Sequence, residues 1–462
     1  MTGVGNTDPV PTGPREPLVP TVDPSLPAAE PGRPPAPGRA APSGWPKGVR
    51  SLRHWNFRVF WTGQLVSLVG TWMQTVAQAW LVLELTGDPL ALGIVAACQF
   101  VPVMVLGLFA GVFADALPKH RTLIALQAGM LVLALILGLL TVTGAVQVWH
   151  VYVLAVALGC LNALEMPVRQ SFAFEMVGRE DLVNAVALNS AAFNGSRIIG
   201  PAIAGLLIGT VGIAVCFFIN AASYVAVIIG LMAMHTNELR SPARAVMQRT
   251  FGGVVDQLTE GLRYVRATPM VFVPILVLGV VATVGLNFSV TIPVLARDVL
   301  GGGPDTYGFL MAASGIGSLS SALALAFGQR PTIRLLLIGA GAIGVSLMLL
   351  GTSRWLPASL VLMLVLGWGV IAMAATTNTL IQLTVPDELR GRVMSVYTTV
   401  FAGSTPIGGL FAGAIAAIAG VPMALIVGGA LALLAAVVAG WRAPGVGRGS
   451  RRSAARLAIG GG

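Results

Sequence analysis

The sequence predicts an all-α membrane protein in which twelve transmembrane helices form two six-helix bundles. Of the 462 residues, 55% are hydrophobic and only 10% are charged, whereas about 25% of residues are charged in soluble domains. Apolar runs of about 20 residues, the length that crosses a bilayer, follow one another between residues 57 and 441. They fall into two sets of six, separated by a polar stretch. Because lipid cannot satisfy backbone polar groups, we expect every run to be helical.

The boundaries of the individual helices follow from the ends of the apolar runs. We place the first six helices at about 57–83, 90–115, 122–143, 150–172, 183–209 and 213–235. We place the second six at about 270–297, 305–328, 332–350, 356–382, 391–417 and 421–441. The two bundles therefore occupy residues 51–236 and 269–442, and residues 237–268 connect them.

The connecting segment carries its own helical pattern. Its apolar side chains recur at helical spacing at Phe251, Val254, Val255, Leu258, Leu262 and Val265. Acidic and basic side chains occupy the other positions, so the segment predicts an amphipathic helix lying at the membrane surface.

The two ends of the chain have compositions that do not support a packed core. Residues 1–50 are rich in Pro, Gly and Ala, and residues 443–462 are rich in Gly and Arg. Such segments bury too little apolar area to offset chain entropy, so we expect both tails to be disordered. No apolar core precedes the first span, which argues against a signal peptide.

The distribution of basic residues predicts the orientation in the membrane. When the spans are threaded alternately, all of the 28 Lys and Arg except Arg197, Arg297 and Arg354 fall on one side. The positive-inside rule then places both termini in the cytoplasm. Because the basic residues lie in loops and tails, the net charge of +10 does not indicate nucleic-acid binding. The three cysteines lie inside apolar runs without metal-ligand spacing, so we expect neither a metal site nor disulfides.

The two halves share a weak internal repeat. An acidic-Leu pair, a Val and an Ile-Gly-x-x-x-Ala-Gly string occur in the same order in both halves. They lie at residues 177–186 and 199–205 in the first half and at residues 385–393 and 407–413 in the second half. Repeats of this kind occur in carriers built from two bundles. Chance similarity between apolar segments of low complexity is the alternative explanation.

The loop between the second and third spans resembles the cytoplasmic signature of the major facilitator superfamily. The residues that match are Gly111, Asp115, Lys119 and Arg121. Positions 116 and 118 depart from the usual pattern, since Ala and Pro stand where Arg and Gly are common. The resemblance implies that Asp115, at a helix end, latches one conformation by meeting a basic residue or a helix N-terminus. A plain loop charge is the alternative.

Two further strings resemble exporters of the same superfamily. The fifth span carries a glycine-proline motif linked to antiport, made of Gly195, Gly200, Pro201 and Gly205. Its spacing differs from the usual one, because three residues instead of two separate Pro201 from Gly205. The string at 386–395 resembles a bacterial efflux branch that includes enterobactin exporters and macrolide efflux proteins. The resemblance implies a monomeric transporter in the bacterial cell membrane that needs no cofactor besides a proton gradient.

Two ionisable residues lie inside apolar runs, where charges are costly and usually functional. Glu165 belongs to the fourth span and Arg197 to the middle of the fifth. Because consecutive helices are often neighbours, we consider a structural ion pair between them. A proton-coupling carboxylate tuned by the arginine is the second interpretation. In the third, Glu165 simply reaches the headgroup region.

Polar side chains follow one face of the first and seventh spans at intervals of three and four residues. Spans one and seven line the central cavity in the superfamily, and we expect a cavity for an amphipathic small molecule between the halves. Polar contacts between helices are the alternative use of such residues. The candidate cavity residues are Ser67, Thr71, Gln74, Gln78, Asn162, Thr283, Asn287, Thr376, Asn378 and Tyr397.

Other functional classes lack support in the sequence. No phosphate-binding loop and no zinc-protease motif occurs, and one acid inside a span does not make a catalytic cluster, so we do not expect an enzyme. The patterns favour a secondary active exporter that works by alternating access, and the family resemblance implies a proton antiporter. An uptake carrier of the same fold and a membrane receptor or scaffold without transport remain the alternatives.

Overall fold

The computed structural model describes residues 46–239, 251–328 and 330–442. Residues 1–45 and 443–462 lie outside the described part, so the predicted disorder of the two tails stays a prediction. A 3-10 helix at Lys47–Arg53 precedes the first span. Structure therefore begins a few residues before the predicted tail boundary at residue 50.

The first half is built from five helices that supply six spans. They are α1 (Trp55–Thr86), α2 (Pro89–Ala116), α3 (Lys119–Val142), α4 (Val148–Thr210) and α5 (Ala214–Met232). At a rise of about 1.5 Å per residue, α4 would be about 95 Å long, three times the thickness of the hydrocarbon core. Its backbone turns at Gly178, where φ is 70° and ψ is −174°. The two arms of α4 are therefore the fourth and fifth spans.

The second half begins with the amphipathic helix that the sequence predicts. This helix, α6, covers Phe251–Ala267 and packs against α12. The remaining elements are α7 (Pro269–Gly285), α8 (Phe288–Val294), a π-helix at Leu295–Val299, α9 (Pro304–Ala326), α10 (Ile333–Thr352), α11 (Leu356–Thr384), α12 (Asp387–Ala419) and α13 (Val421–Arg442). Eleven helical segments of the described chain are long and apolar enough to cross a membrane. Counting both arms of α4 gives the twelve spans expected from the sequence.

The seventh span differs from the continuous helix predicted at 270–297, because it is interrupted between α7 and α8. The backbone leaves helical geometry at Leu286 and Asn287. The Asn287 side-chain amide donates to the Thr283 carbonyl oxygen at 2.8 Å, replacing the bond that a helical backbone N–H would make. Pro293, which lacks an N–H, follows inside α8. The break is thus compatible with an apolar environment, since its freed carbonyl keeps a partner.

The ends of the spans define two faces of the protein. The basic face carries the α2–α3 connection, the turn at Gly178 and the start of α12, with Lys119, Arg179 and Arg392 among its residues. The opposite face carries the α1–α2 and α3–α4 connections. Near the basic face, the short 3-10 helix is bound to the second arm of α4, because Asp181 forms ion pairs with Arg53 at 2.8 Å and with Arg50 at 3.2 Å.

The two halves meet most closely near the opposite face, along a contact that we call the outer seam. It consists of α2 against α12 and of the second arm of α4 against α9. A Cβ atom built on Gly413 would lie 2.9 Å from the Pro89 carbonyl oxygen, and one on Gly205 would lie 2.8 Å from that of Pro304. Since real Cβ atoms do not approach backbone this closely, the outer seam requires glycine at both positions.

Polar and aromatic contacts continue the outer seam between α1 and the second half. The Arg297 guanidinium donates to the Leu83 carbonyl oxygen at 3.0 Å. The rings of Trp80 and Tyr307 are stacked, with centroids 6.4 Å apart. The structure therefore shows the two halves in contact near the opposite face.

We predict that Gly205→Ala opens the outer seam, whereas Gly195→Ala leaves it closed. The new methyl group at 205 must displace the backbone of α9, and overpacking of this kind costs about 1–3 kcal/mol. At Gly195, a built Cβ has no heavy atom within 4 Å. Both glycines belong to the same sequence motif on α4, so the two variants form a matched pair.

The seam can be followed with spin labels on exposed residues of the opposite face. Ala145→Cys in the first half and Thr352→Cys in the second half, in a background without Cys98, Cys160 and Cys216, provide the labels. Double electron–electron resonance should report a longer distance between the two labels in Gly205→Ala and an unchanged distance in Gly195→Ala. Identical distance distributions in both variants would show that the seam tolerates the methyl group.

Candidate functional site

A polar network fills the interior of the first bundle between α1 and α5. Asn220, which is fully buried, donates from its amide to Gln74 Oε1 at 2.7 Å and to the Tyr224 hydroxyl at 3.3 Å. Gly70 makes room for it, because a built Cβ there would lie 2.7 Å from Asn220 Oδ1. Gln74 therefore makes a hydrogen bond between two helices of the first bundle in this conformation. This is the alternative use of the polar residues on the first span, namely polar contact between helices.

The exposed edge of this network is Thr71. Its side chain is exposed, its hydroxyl donates to the Ser67 carbonyl oxygen at 2.9 Å, and it lies near the Tyr224 hydroxyl. Glu165 lies close enough to Tyr224 for an electrostatic interaction. The Tyr224 hydroxyl thus lies near both an accessible hydroxyl on α1 and a carboxylate on α4.

Glu165 is the most deeply placed carboxylate in the described part of the chain. It follows Val148 by seventeen residues, which corresponds to about 26 Å along the first arm of α4 from the opposite face. Its side chain is 9% exposed and its Oε1 lies 2.8 Å from Nε of Arg169, one helical turn further along. The pair is neutral as a unit, and it lies toward the basic face.

The ion pair between Glu165 and Arg197 that the sequence suggests is not formed. Arg169 lies on the same helical arm at i+4, a spacing that brings side chains together without any tertiary contact. Arg197 belongs to the second arm, and its guanidinium carbon lies 5.4 Å from the ring centroid of Trp72 on α1. The two charged side chains therefore have different partners.

The loop motif between α2 and α3 is partly described. Helix α2 ends at Ala116, so Asp115 occupies its last turn as expected. The surroundings of Gly111 and the side chain of Asp115 lie outside the described part of the structure. Lys119 forms an ion pair with Glu175 Oε1 on α4 at 2.6 Å, and Arg121 is exposed. Lys119 thus ties α3 to α4, and the latch role of Asp115 stays a prediction.

The glycine-proline motif packs the second arm of α4 between α1 and α9. A Cβ built on Gly200 would lie 2.6 Å from the Trp72 Cβ atom, and Gly205 contributes to the outer seam. Pro201 is buried, and its carbonyl oxygen faces Gly308 of α9. Gly195 makes no such approach. The structure therefore assigns packing to three of the four motif residues.

Candidate cavity residues of the second half form a smaller set of polar contacts. Tyr397 of α12 lies near Asn378 of α11, and Asn378 Oδ1 accepts from Gln382 at 2.5 Å. Thr376 is fully buried, and its hydroxyl has no hydrogen-bond partner. Lining of the central cavity stays a prediction for these residues and for the remaining candidates, which are Ser67, Gln78, Asn162, Thr283 and Asn287.

A separate cavity of about 550 Å³ opens at the opposite face. Both halves contribute to its wall, with Asp88 from the α1–α2 connection, Asp298 from the π-helix and Arg354 from the α10–α11 connection. It lies at the loop level, apart from the polar network of α1, α4 and α5. None of the candidate residues from the sequence lines it.

Sequence analysis missed three residues whose contacts organise the first half. Asn220 could have been found, because it shares a helical face with Ser223 and Tyr224 inside an apolar run. Asp181 lies in the repeated acidic-Leu string, which pointed to the segment without assigning a partner. Glu175 gave no sequence signal, since its ion pair with Lys119 depends on the packing of α3 against α4.

Comparisons with known proteins agree with this architecture. A family model described as "Transmembrane secretion effector" matches residues 47–449. The multidrug efflux pump Tap of Mycolicibacterium fortuitum is 32% identical over 373 residues, which cover 77% of this chain and 88% of the relative. The staphyloferrin A transporter of Staphylococcus aureus is 26% identical over 272 residues, covering 58% of this chain and 66% of the relative.

A solved structure supports the fold independently of sequence. The crystal structure of a point mutant of the nucleoside transporter NupG superposes with a TM-score of 0.68, covering 84% of this chain and 98% of that chain at 10% identity. At this level of identity, the likeness concerns the fold alone.

We predict that Gln74 and Asn220 are energetically coupled. Replacing either residue by alanine leaves a buried amide of its partner unpaired, which costs about 1–3 kcal/mol. The double variant removes both amides, so its cost should fall short of the sum of the single variants by about 1 kcal/mol. Unfolding of the purified protein in detergent provides the measurement.

The pair Asn378 and Gln382 is the matched control for this cycle. It joins the same two side-chain types, but Gln382 is exposed and can be solvated when its partner is removed. We expect its coupling energy to be close to zero. Strict additivity at Gln74 and Asn220 would mean that their hydrogen bond does not contribute to stability.

Proposed function

The chain belongs to the transmembrane secretion effector family of the major facilitator superfamily, and we propose that this transporter exports amphipathic small molecules by proton antiport. The names of two relatives support export, because they are the multidrug efflux pump Tap and macrolide efflux protein A, and a third relative is a staphyloferrin A transporter. The cargo of this chain is therefore a drug-like or siderophore-like molecule. The observation that carries the coupling proposal is the buried ion pair of Glu165 and Arg169 beside the polar network of α1 and α5.

Alternating access follows from the way in which the halves touch. The outer seam joins them through glycine contacts, the Arg297–Leu83 hydrogen bond and the Trp80–Tyr307 stack. Each half keeps its own interior contacts, so the seam can separate without unfolding either bundle. Opening the outer seam would release cargo at the opposite face. Closing it would make the binding site accessible from the basic face again.

The direction of export depends on which face is cytoplasmic. The concentration of Lys and Arg on the basic face favours a cytoplasmic location for it, and hence for both termini. Cargo then enters from the cytoplasm while the outer seam is closed. An uptake carrier would use the same states in the reverse order, so a flux measurement with defined orientation separates the two.

Coupling to protons would act through the Glu165–Arg169 pair. A proton bound to the carboxylate cancels its attraction to the Arg169 guanidinium and leaves a cation on the first arm of α4. The hydroxyl groups of Thr71 and Tyr224 offer hydrogen-bonding groups along which a proton could approach from the accessible edge of the network. Proton binding and release at Glu165 would thereby change the charge of the site once in each cycle.

The first test of the function is dye export from cells that express the chain. Efflux of a fluorescent amphipathic dye should depend on the chain and collapse when a protonophore dissipates the gradient. Dye movement that persists without a gradient would contradict proton antiport. Uptake in place of efflux would favour the reverse carrier, and a chain that binds dyes without moving any of them would fit a receptor.

We predict that Glu165→Gln abolishes gradient-driven efflux while leaving dye binding and folding intact. The amide has the same shape but cannot gain or lose a proton in the relevant range. Glu388→Gln, which neutralises an exposed carboxylate at the basic-face end of α12, is the matched control and should transport normally. Purified variants in liposomes with an imposed pH gradient give the measurement, and normal transport by Glu165→Gln would exclude it as the coupling residue.

A further inference from the structure

Arg197 is a cation at mid-depth of the membrane-spanning region. It precedes the end of α4 at Thr210 by thirteen residues, which places it about 20 Å along the second arm from the opposite face. A Cβ built on Gly315, halfway along α9, would lie 2.9 Å from the Arg197 carbonyl oxygen. Arg197 therefore lies where the two halves face each other.

Two aromatic rings surround Arg197 in the described part of the chain. Its guanidinium lies over Trp72, and the Trp72 ring meets Phe193 edge-on with centroids 5.8 Å apart. Among the described residues, no carboxylate lies within ion-pair distance of Arg197, whereas Arg169 is paired with Glu165. An arginine inside a span is costly, and those that occur mark ion or substrate pathways.

The contact with Trp72 leaves the hydrogen-bonding capacity of Arg197 free. A cation–π contact is electrostatic and does not occupy the N–H donors of a guanidinium, which lie in its own plane. No hydrogen bond from these donors to the described protein is formed, and the side chain is only half-buried. The planar donors match the two oxygens of a carboxylate or another oxyanion.

The balance of charges at this depth favours an anion. Glu165 and Arg169 cancel each other, so Arg197 gives the interior of the described first bundle one uncompensated positive charge. One helical turn earlier on the same arm, Asn194 has a buried Oδ1 atom without a hydrogen-bond partner. A ligand with an anionic group and a nearby hydroxyl or amide donor would satisfy both side chains.

We propose that Arg197 binds the anionic group of the cargo and that Trp72 and Phe193 contact its apolar part. The transported molecule is therefore an amphipathic organic anion or a zwitterion, and a simple lipophilic cation is disfavoured. This inference rests on the proposed transport function for its physiological meaning. Ligand binding at Arg197 can nevertheless be measured without transport.

A matched pair of dyes tests the inference on the purified full-length chain in detergent. Fluorescein and rhodamine 6G share a xanthene ring, but fluorescein is anionic and rhodamine 6G is cationic at neutral to basic pH. Fluorescence anisotropy should show tighter binding of fluorescein. Arg197→Met should weaken fluorescein binding by at least about tenfold and leave rhodamine 6G binding equal or stronger, because a desolvated charge-assisted contact is lost.

Two further variants separate binding from folding and from surface charge. Arg197→Lys retains the cation without the planar donors, so it should keep an intermediate affinity for fluorescein. Arg354→Met removes an exposed arginine of the cavity at the opposite face and should leave fluorescein binding unchanged. An equal loss in Arg354→Met would place the anion site in that outer cavity and overturn the inference.

The remaining outcomes are also decisive. Binding of neither dye, a preference for rhodamine 6G, or an equal loss of both dyes in Arg197→Met would overturn the anion site. If fluorescein binding depends on Arg197 but a pH gradient across liposomes does not move the dye, the proposed antiport fails while the anion site stands. The two proposals can therefore fail separately.

Discussion

The absence of water in the bilayer core is the constraint on which the rest of this structure depends. Every span must satisfy its backbone hydrogen bonds internally, and the described spans do so as helices. Even the interrupted seventh span keeps this rule, because the Asn287 side chain replaces a missing backbone donor. Helices in lipid gain little from apolar contact with one another, so close packing and polar contacts must hold them together.

Packing and polarity have different places in this molecule. Glycine contacts join the halves along the outer seam, where backbone meets backbone and a single methyl group would intrude. The buried polar network instead joins α1 to α5 within the first half. Contacts inside a half thus include desolvated hydrogen bonds, while the contact between halves depends mainly on shape. A boundary of the second kind can open and reform without leaving many buried donors unpaired.

Among the described side chains inside the spans of the first half, Glu165 and Arg169 form a neutral pair, whereas Arg197 is a cation without a counterion. Glu165 and Arg169 are partners along one helical arm, so their interaction survives movement of that arm as a rigid body. Arg197 depends on Trp72 of another helix and has donors to spare. A proton would bind at the Glu165–Arg169 pair, whereas an anion would bind at Arg197, so the two ligands would use separate charges. This separation would give the proposed antiport a physical basis for coupling cargo to protons.

The sequence by itself determined the fold class, the number of spans and the amphipathic helix between the halves, because span length and helical periodicity are local properties. It also identified Glu165 and Arg197 as unusual, since a charge in an apolar run is visible without a structure. The Glu165–Arg169 pair has an i,i+4 spacing that the sequence already contains, whereas only the tertiary structure decided that Arg197 lies over Trp72 and not beside Glu165. It also turned Gln74 toward Asn220 and interrupted the seventh span. Such choices depend on how helices rotate about their axes and pack, which no local pattern encodes.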